Sequence, residues 1–169
     1  MSTPLFQVVR LENSHERLAF QSGSEPLDSY FKQQVSQDVR RRVTACYVAL
    51  SKGQRIAGYY TLASASVLLV DLPMALNKKL PRYPTVPAIR MGRLAVDNEF
   101  KGMGLGGALL ADALTRSMRS EIAAYALLVD AKDESAVAFY KHHGLLELPD
   151  QPLKLFLPLA MVTSIASLR

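Results

Sequence analysis

Apolar residues recur along this chain with two periods, and the switches between them outline its elements. Phe6 to Arg10 reads as a short first strand. From Pro26 the spacing lengthens. Leu27, Tyr30, Phe31, Gln34 and Val35 recur at three and four, which predicts a helix over PLDSYFKQQVSQDVRRR. Proline suits its first turn, and Arg40, Arg41 and Arg42 suit its C-terminal end. VTACYVALS and RIAGYYTLASASV are rich in β-branched and aromatic residues, and Lys52-Gly53-Gln54 between them reads as a hairpin. Between Asp71 and Pro87, prolines at 73, 81, 84 and 87 exclude a continuous helix or a central strand. That leaves a long functional loop with one helical turn near Met74 to Lys79.

The second half alternates more regularly. AIRMGRLAV is a strand, FKGMGLGG a glycine-rich turn, and ALLADALTRSMRS a helix whose Leu109, Leu110, Ala113 and Leu114 form a buried stripe. AAYALLVD is nearly continuous in apolar residues, as a strand buried on both faces is. DESAVAFYKHHG predicts a helix with Asp133 as N-cap and Gly144 as its stop. LLEL and LKLFL are the last two strands. The order β-α-β-β-β-α-β-α-β-β predicts an α/β (α+β) fold with a mixed sheet and helices on both faces.

Composition narrows the class. A length of 169 residues suits a single domain over 1–169, and 49% hydrophobic residues suffice for a core. Cys46 is the sole cysteine, so no internal disulfide forms, which fits a reducing compartment. The N-terminus lacks a basic segment followed by an apolar one, the pattern of a signal peptide. The apolar stretches Val67 to Val70 and Phe156 to Leu168 fall short of the roughly 20 residues a membrane span needs. A cytoplasmic protein without membrane contact is expected. The net charge of +5, from 20 basic and 15 acidic residues, points to an anionic partner.

The informative segment is RLAVDNEFKGMGLGGALLADAL, in which a strand, a glycine-rich loop and a helix start follow one another. Unpaired N–H groups and the dipole at a helix N-terminus attract an anion. Glycines at 102, 104 and 106 let the backbone approach a phosphate closely. The loop lacks the Gly-Lys-Ser/Thr ending of a P-loop. Its place after a hairpin system also speaks against an N-terminal dinucleotide fold.

The segment resembles the acyl-CoA loop of the GNAT superfamily of N-acetyltransferases. There Gln/Arg-x-x-Gly-x-Gly/Ala follows a strand with Leu-x-Val. Leu94-Ala95-Val96 and Lys101-Gly102-Met103-Gly104-Leu105-Gly106-Gly107 stand in those positions. Lys101 departs from the usual Gln/Arg, keeping the cation and losing its planar fork. The resemblance implies a GNAT fold with a mixed, mostly antiparallel sheet. It also implies that the amides of Phe100 to Gly107 hold the pyrophosphate of acetyl-CoA, and that the main chain of Leu94 and Val96 pairs with its pantetheine arm.

DAKDESAVAFYKHHGLLEL resembles the family's later motif, with Asp133, Ala136, Tyr140 and Gly144 at the family's spacing. Asp133 replaces Asn and Leu145 replaces Phe, and the resemblance implies that Asp133 and Ala136 help bind the cofactor. The resemblance makes Tyr140 the general acid for the departing CoA thiolate. A phenol of pKa about 10 can donate to the thiolate of a thiol of pKa about 8.5. A core tyrosine on an amphipathic helix is the structural alternative.

A narrower resemblance covers about Leu27 to Pro158. LDSYFKQQVSQDVRRR, GYYTLASASV, LPRYPTVPAIRMGRLAVD, DALTRS, LLVDAKDESAVAFYKHHG and LKLFLPL look like the acetyltransferase toxins of bacterial toxin–antitoxin pairs. This implies acetylation of the α-amine of aminoacyl-tRNA, arrest of translation, a ribbon-helix-helix antitoxin as partner, and a homodimer. An α-amine of pKa about 7.7–8.0, lowered by its ester, needs no strong base. Candidate phosphate contacts are Arg40, Arg41, Arg42, Lys78, Lys79, Arg82, Arg90 and Arg93. Arg93 could instead serve an internal salt bridge, and Tyr83 could stack on a base or pack. His15, His142 and His143 make no metal set, and no metal is expected. Cys46 reads as core. The alternative is a GNAT enzyme for a small-molecule amine or a protein N-terminus.

Overall fold

The computed structural model describes residues 5–162. The end of the second apolar stretch, 163–168, lies outside them. In chain order the elements are β1 (Phe6–Arg10), α1 (Glu25–Gln33), α2 (Val35–Arg40), β2 (Ala45–Ser51), β3 (Ile56–Leu68), α3 (Met74–Asn77), β4 (Thr85–Val96), α4 (Leu105–Met118), β5 (Ala126–Asp130), α5 (Glu134–His142), β6 (Leu146–Leu148) and β7 (Gln151–Pro158). The strand order is β1-β2-β3-β4-β5-β7-β6. Neighbours pair antiparallel at β1/β2, β2/β3, β5/β7 and β6/β7, whereas β4 and β5 run parallel. This is the mixed, mostly antiparallel sheet of the expected fold. The described chain divides into two compact units. One takes in the residues up to Ala63 with Gly92–Ala113, the other Ser64–Met91 with the residues from Leu114 onward.

The first unit is built on aromatic rings. Phe31 stacks on Tyr59 with centroids 4.2 Å apart, and Phe20 meets Phe31 edge-on at 5.0 Å. Such rings bury large apolar areas and favour these two geometries. The single helix expected from Pro26 to Arg42 is broken into α1 and α2. Gln34 is the break, at φ −119 and ψ −33. The apolar spacing runs through it unchanged because only one residue departs from helical geometry. Ser24 caps α1 by accepting from Leu27 N–H. Of the basic run only Arg40 lies in α2. Arg41 is its C-cap, and Arg42 sits in the left-handed region at φ +61. The last two arginines therefore stand on the exit turn and not on the helix end.

Gly58 of β3 lets α4 close onto the strand. A Cβ there would lie 2.8 Å from a Leu109 methyl and 2.9 Å from the Ala95 carbonyl oxygen. In the second unit Val67, Leu69, Leu72, Val86, Ala126, Leu148 and Phe156 pack as a core. Pro87 belongs to β4, against the expectation that it would exclude a strand. The parallel register with β5 begins at Ala88, and Pro87 contributes its carbonyl, which accepts from Tyr125 N–H at 2.8 Å. β5 is not buried on both faces: Ala126, Leu127 and Val129 are buried, Leu128 is half-buried and Asp130 exposed.

Candidate active site

α4 begins at Leu105, three residues earlier than expected, so Gly106 and Gly107 form its first turn. Ala108 N–H is already bonded to the Gly104 carbonyl at 3.1 Å. The amides of Leu105, Gly106 and Gly107 are the terminal donors a helix leaves without an intrahelical acceptor. Gly102 and Gly104 take φ +80 and +79, which disfavours any other residue. A Cβ at either would meet no protein atom within 4 Å, so what the glycines keep clear is open space over the loop. Lys101, Gly102, Met103 and Gly104 are all exposed. Together these make a main-chain anion cradle.

The strand entering the loop is fixed by hydrogen bonds. Asp97, buried at the end of β4, accepts from Gln21 N–H and Glu99 N–H, both at 2.9 Å. Its own N–H reaches the Ala57 carbonyl at 2.8 Å, and Asn98 N–H reaches the Gln21 carbonyl at 2.7 Å. The turn at Gln21 to Ser24 is held in place by the buried Asp28 carboxylate. It accepts from Ser22 N–H at 3.0 Å and from the Ser22 hydroxyl at 2.6 Å. Lys101 Nζ donates to the Ser22 carbonyl at 2.5 Å. The lysine thus straps the loop to this turn. Asp97, Ser22 and Asp28 carried no sequence signal: Asp97 bonds a main-chain group 76 positions away, and a Ser/Asp pair six apart matches no motif. Leu94 and Val96 are half-buried and Ala95 is buried.

In the second unit Asp133 caps α5 as predicted, accepting from Ala136 N–H at 2.8 Å. Gly144, at φ +94, ends it, and Leu145 N–H returns to the Tyr140 carbonyl at 3.1 Å. Tyr140 is 5% exposed and packs edge-on against Phe139. Burial raises its phenol pKa above the ordinary value, and the nearby Asp130 charge raises it further. A phenol is already protonated at neutral pH, and this shift keeps the proton on further into the alkaline range. Its hydroxyl has no hydrogen-bond partner among the described residues.

The basic candidates behave differently from one another. Lys78 and Lys79 follow α3 and are exposed. Arg82 folds back, donating to the Asn77 and Leu80 carbonyls, so it holds its own loop together. Tyr83 is 70% exposed. Arg90 Nε lies 4.0 Å from the Asp130 carboxylate. Both line a cavity of about 150 Å³ that is also lined by Asp71 and Lys154, two acids and two bases in all. In the first unit Arg40, Arg41 and Arg42 are exposed, and Arg93 lies over the Tyr30 ring. His15 Nδ1 accepts from Glu12 N–H, and the His142 and His143 rings lie 5.1 Å apart. No group of three potential metal ligands assembles among the described residues. Cys46 is buried, which pushes its thiol up to about 12 and leaves it inert.

A cradle of amides at a helix start, fed by a strand of a mixed sheet, suits an acyl carrier bearing a pyrophosphate. Residues 8–145 match the model of the acetyltransferase (GNAT) family, and the chain belongs to that family. Among its relatives, a tRNA-acetylating toxin of Mycobacterium tuberculosis (strain ATCC 25618 / H37Rv) is 35% identical over 150 residues, which are 88% of this chain and 89% of that protein. The structure of AtaT complexed with acetyl-methionyl-tRNAfMet is similar at a TM-score of 0.86 and 27% identity, over 96% of this chain and 98% of the other. The structure of AtaTR bound with AcCoA is similar at 0.80 and 27%, over 96% and 97%. No helix among the described residues is long and apolar enough to cross a membrane.

Proposed function

We propose that this chain is a toxin-type N-acetyltransferase that moves the acetyl group of acetyl-CoA to the α-amine of an aminoacyl-tRNA and so stops translation. The observation that carries the reading is the 35% identity to a tRNA-acetylating toxin across 88% of the chain. The reaction is one substitution. The neutral amine nitrogen attacks the thioester carbonyl, a C–N bond forms and the C–S bond breaks. The amine gives up one proton and the thiolate takes one from the Tyr140 hydroxyl. With the α-amine already largely neutral, a water or a backbone carbonyl suffices to pass its proton to solvent, from which the Tyr140 phenolate is reprotonated before the next turnover.

In this reading the amides at the start of α4 hold the pyrophosphate, with Leu94 and Val96 main chain along the pantetheine. Asp133 and Ala136 order the start of the Tyr140 helix, and Lys101 acts through the Ser22 turn. Arg40 to Arg42, Lys78, Lys79, Arg90 and Arg93 supply the charge that tRNA phosphates need. One acetyltransferase domain, acting in the cytoplasm as a homodimer and neutralised by a ribbon-helix-helix antitoxin, completes the proposal. In that cavity Asp71 and Asp130 are matched by Arg90 and Lys154, which argues against a pocket for a polycation, hence against the small-amine alternative.

Incubation with labelled acetyl-CoA and either charged or deacylated tRNA tests the reading. Label is expected only on charged tRNA, and mild alkaline cleavage of the ester should release it with the amino acid. Efficient labelling of a polyamine, drug or peptide, with charged tRNA left unlabelled, would contradict it.

A further inference from the structure

Arg93 is held unlike the other basic candidates. It leaves β4 half-buried, with its guanidinium carbon 3.4 Å from the centroid of the Tyr30 ring. Tyr30 is itself fixed, its ring buried and its hydroxyl donating to Asp38 Oδ2 at 2.8 Å. Gln34 Nε2 donates to the other carboxylate oxygen at 3.1 Å. The bond from Tyr30, then that from Gln34, holds the Asp38 carboxyl below its usual range. Asp38 is hydrogen-bonded to those two donors, and Arg93 acts on its charge without a hydrogen bond to it. No hydrogen bond or ion pair to a described residue takes up the guanidinium donors. An arginine presents five N–H donors in one plane, a fork that matches phosphate geometry. A guanidinium held this close to a ring face is restricted in where its donors can point. Arg41 acts on the same Asp38 charge, so a second cation stands close by.

Arg93 also directly precedes Leu94. Its side chain leaves the same stretch of β4 whose main chain is assigned to the pantetheine arm. The part of a charged tRNA that approaches that arm is its acceptor end, where the amino acid is esterified.

We infer that Arg93, stacked on Tyr30, is the fork that grips a backbone phosphate at the acceptor end of the tRNA, with Tyr30 and Asp38 as its positioning residues. The inference rests on the proposed function and sharpens it. It singles out one preorganised contact from a set of basic residues and assigns a role to two residues outside that set.

The test measures binding of deacylated tRNA against salt concentration, with acetyl-CoA affinity and thermal melting alongside. Arg93→Lys keeps the charge and loses the plane. It should weaken tRNA binding roughly tenfold with an unchanged salt dependence. Arg93→Gln should weaken binding and also reduce the slope of log K against log salt by about 0.7–0.9, the share of one phosphate. Tyr30→Leu should copy Arg93→Lys, and Tyr30→Phe, which keeps the ring, should lose less. If Tyr30→Leu fails to fold, the Tyr30→Phe and Arg93→Lys pair still decides. Wild-type affinity in Arg93→Lys would overturn the stacked fork. Unchanged affinity and slope in Arg93→Gln, or a loss of acetyl-CoA affinity in its place, would overturn the contact. A wild-type protein that binds no tRNA would defeat the proposed function itself, a result distinct from either.

Discussion

In the proposed function the loop at Lys101–Gly104 and the helix α5 both handle negative charge, by opposite means. The loop is exposed and would act through main-chain amides, with two glycines in the left-handed region and its lysine turned aside to Ser22. α5 is capped at both ends and would act through one buried side chain. A function carried by backbone tolerates most side-chain changes but not a Cβ at the left-handed glycines. A function carried by one hydroxyl is lost with one atom. The comparison predicts that loop variants act on cofactor affinity and Tyr140 variants on turnover.

The largest effect is expected at Tyr140. Tyr140→Phe removes the proton donor and keeps the packing of the ring. It should lower kcat by about 10²–10⁴-fold with acetyl-CoA affinity intact. A fall of less than threefold, with chemistry shown to be rate-limiting, would make Tyr140 structural. The pH profile sharpens the point. Burial raises the phenol pKa, so the donor stays protonated as pH rises through neutrality. Activity should therefore climb as the amine deprotonates, near or below about pH 8, without an alkaline limb from Tyr140. An essential group lost between pH 7 and 9 would contradict that assignment.

A smaller effect falls on the loop. Gly104→Val forces a β-branched residue to φ +79, at a cost of roughly 1–2 kcal/mol, and puts a side chain over the cradle. Calorimetry should show acetyl-CoA binding weakened about tenfold or more, while single-turnover rates at saturating acetyl-CoA change little. Unchanged affinity would remove the loop from the account. The opposite pattern, with turnover lost and affinity kept, would erase the distinction between the two regions.

These two regions were also the most legible in the sequence. Each depends on residues close together in the chain: glycines at fixed spacing before a helix, and Asp133, Tyr140 and Gly144 at the start, body and end of another. What sequence could not show is made by distant pairs. The strap from Lys101 to Ser22 spans 79 positions, and the Asp97 bond to Gln21 spans 76. The break at Gln34 is hidden because the apolar period continues across it, yet it accompanies the bond between Tyr30 and Asp38. Arg90 and Arg93, three positions apart in a strand, point to opposite sides on spacing alone. Their partners, the Asp130 carboxylate for one and an aromatic ring for the other, come from other elements and were not legible.

The central claim is that the acetyl group ends on the α-nitrogen of an amino acid esterified to tRNA. The most direct measurement is mass spectrometry of the nuclease-digested product after reaction of acetyl-CoA with charged tRNA. The account predicts N-acetyl-aminoacyl-adenosine for the wild-type protein and little of it for Tyr140→Phe under the same conditions. Unmodified aminoacyl-adenosine, or acetyl groups found on the nucleoside itself, would contradict it.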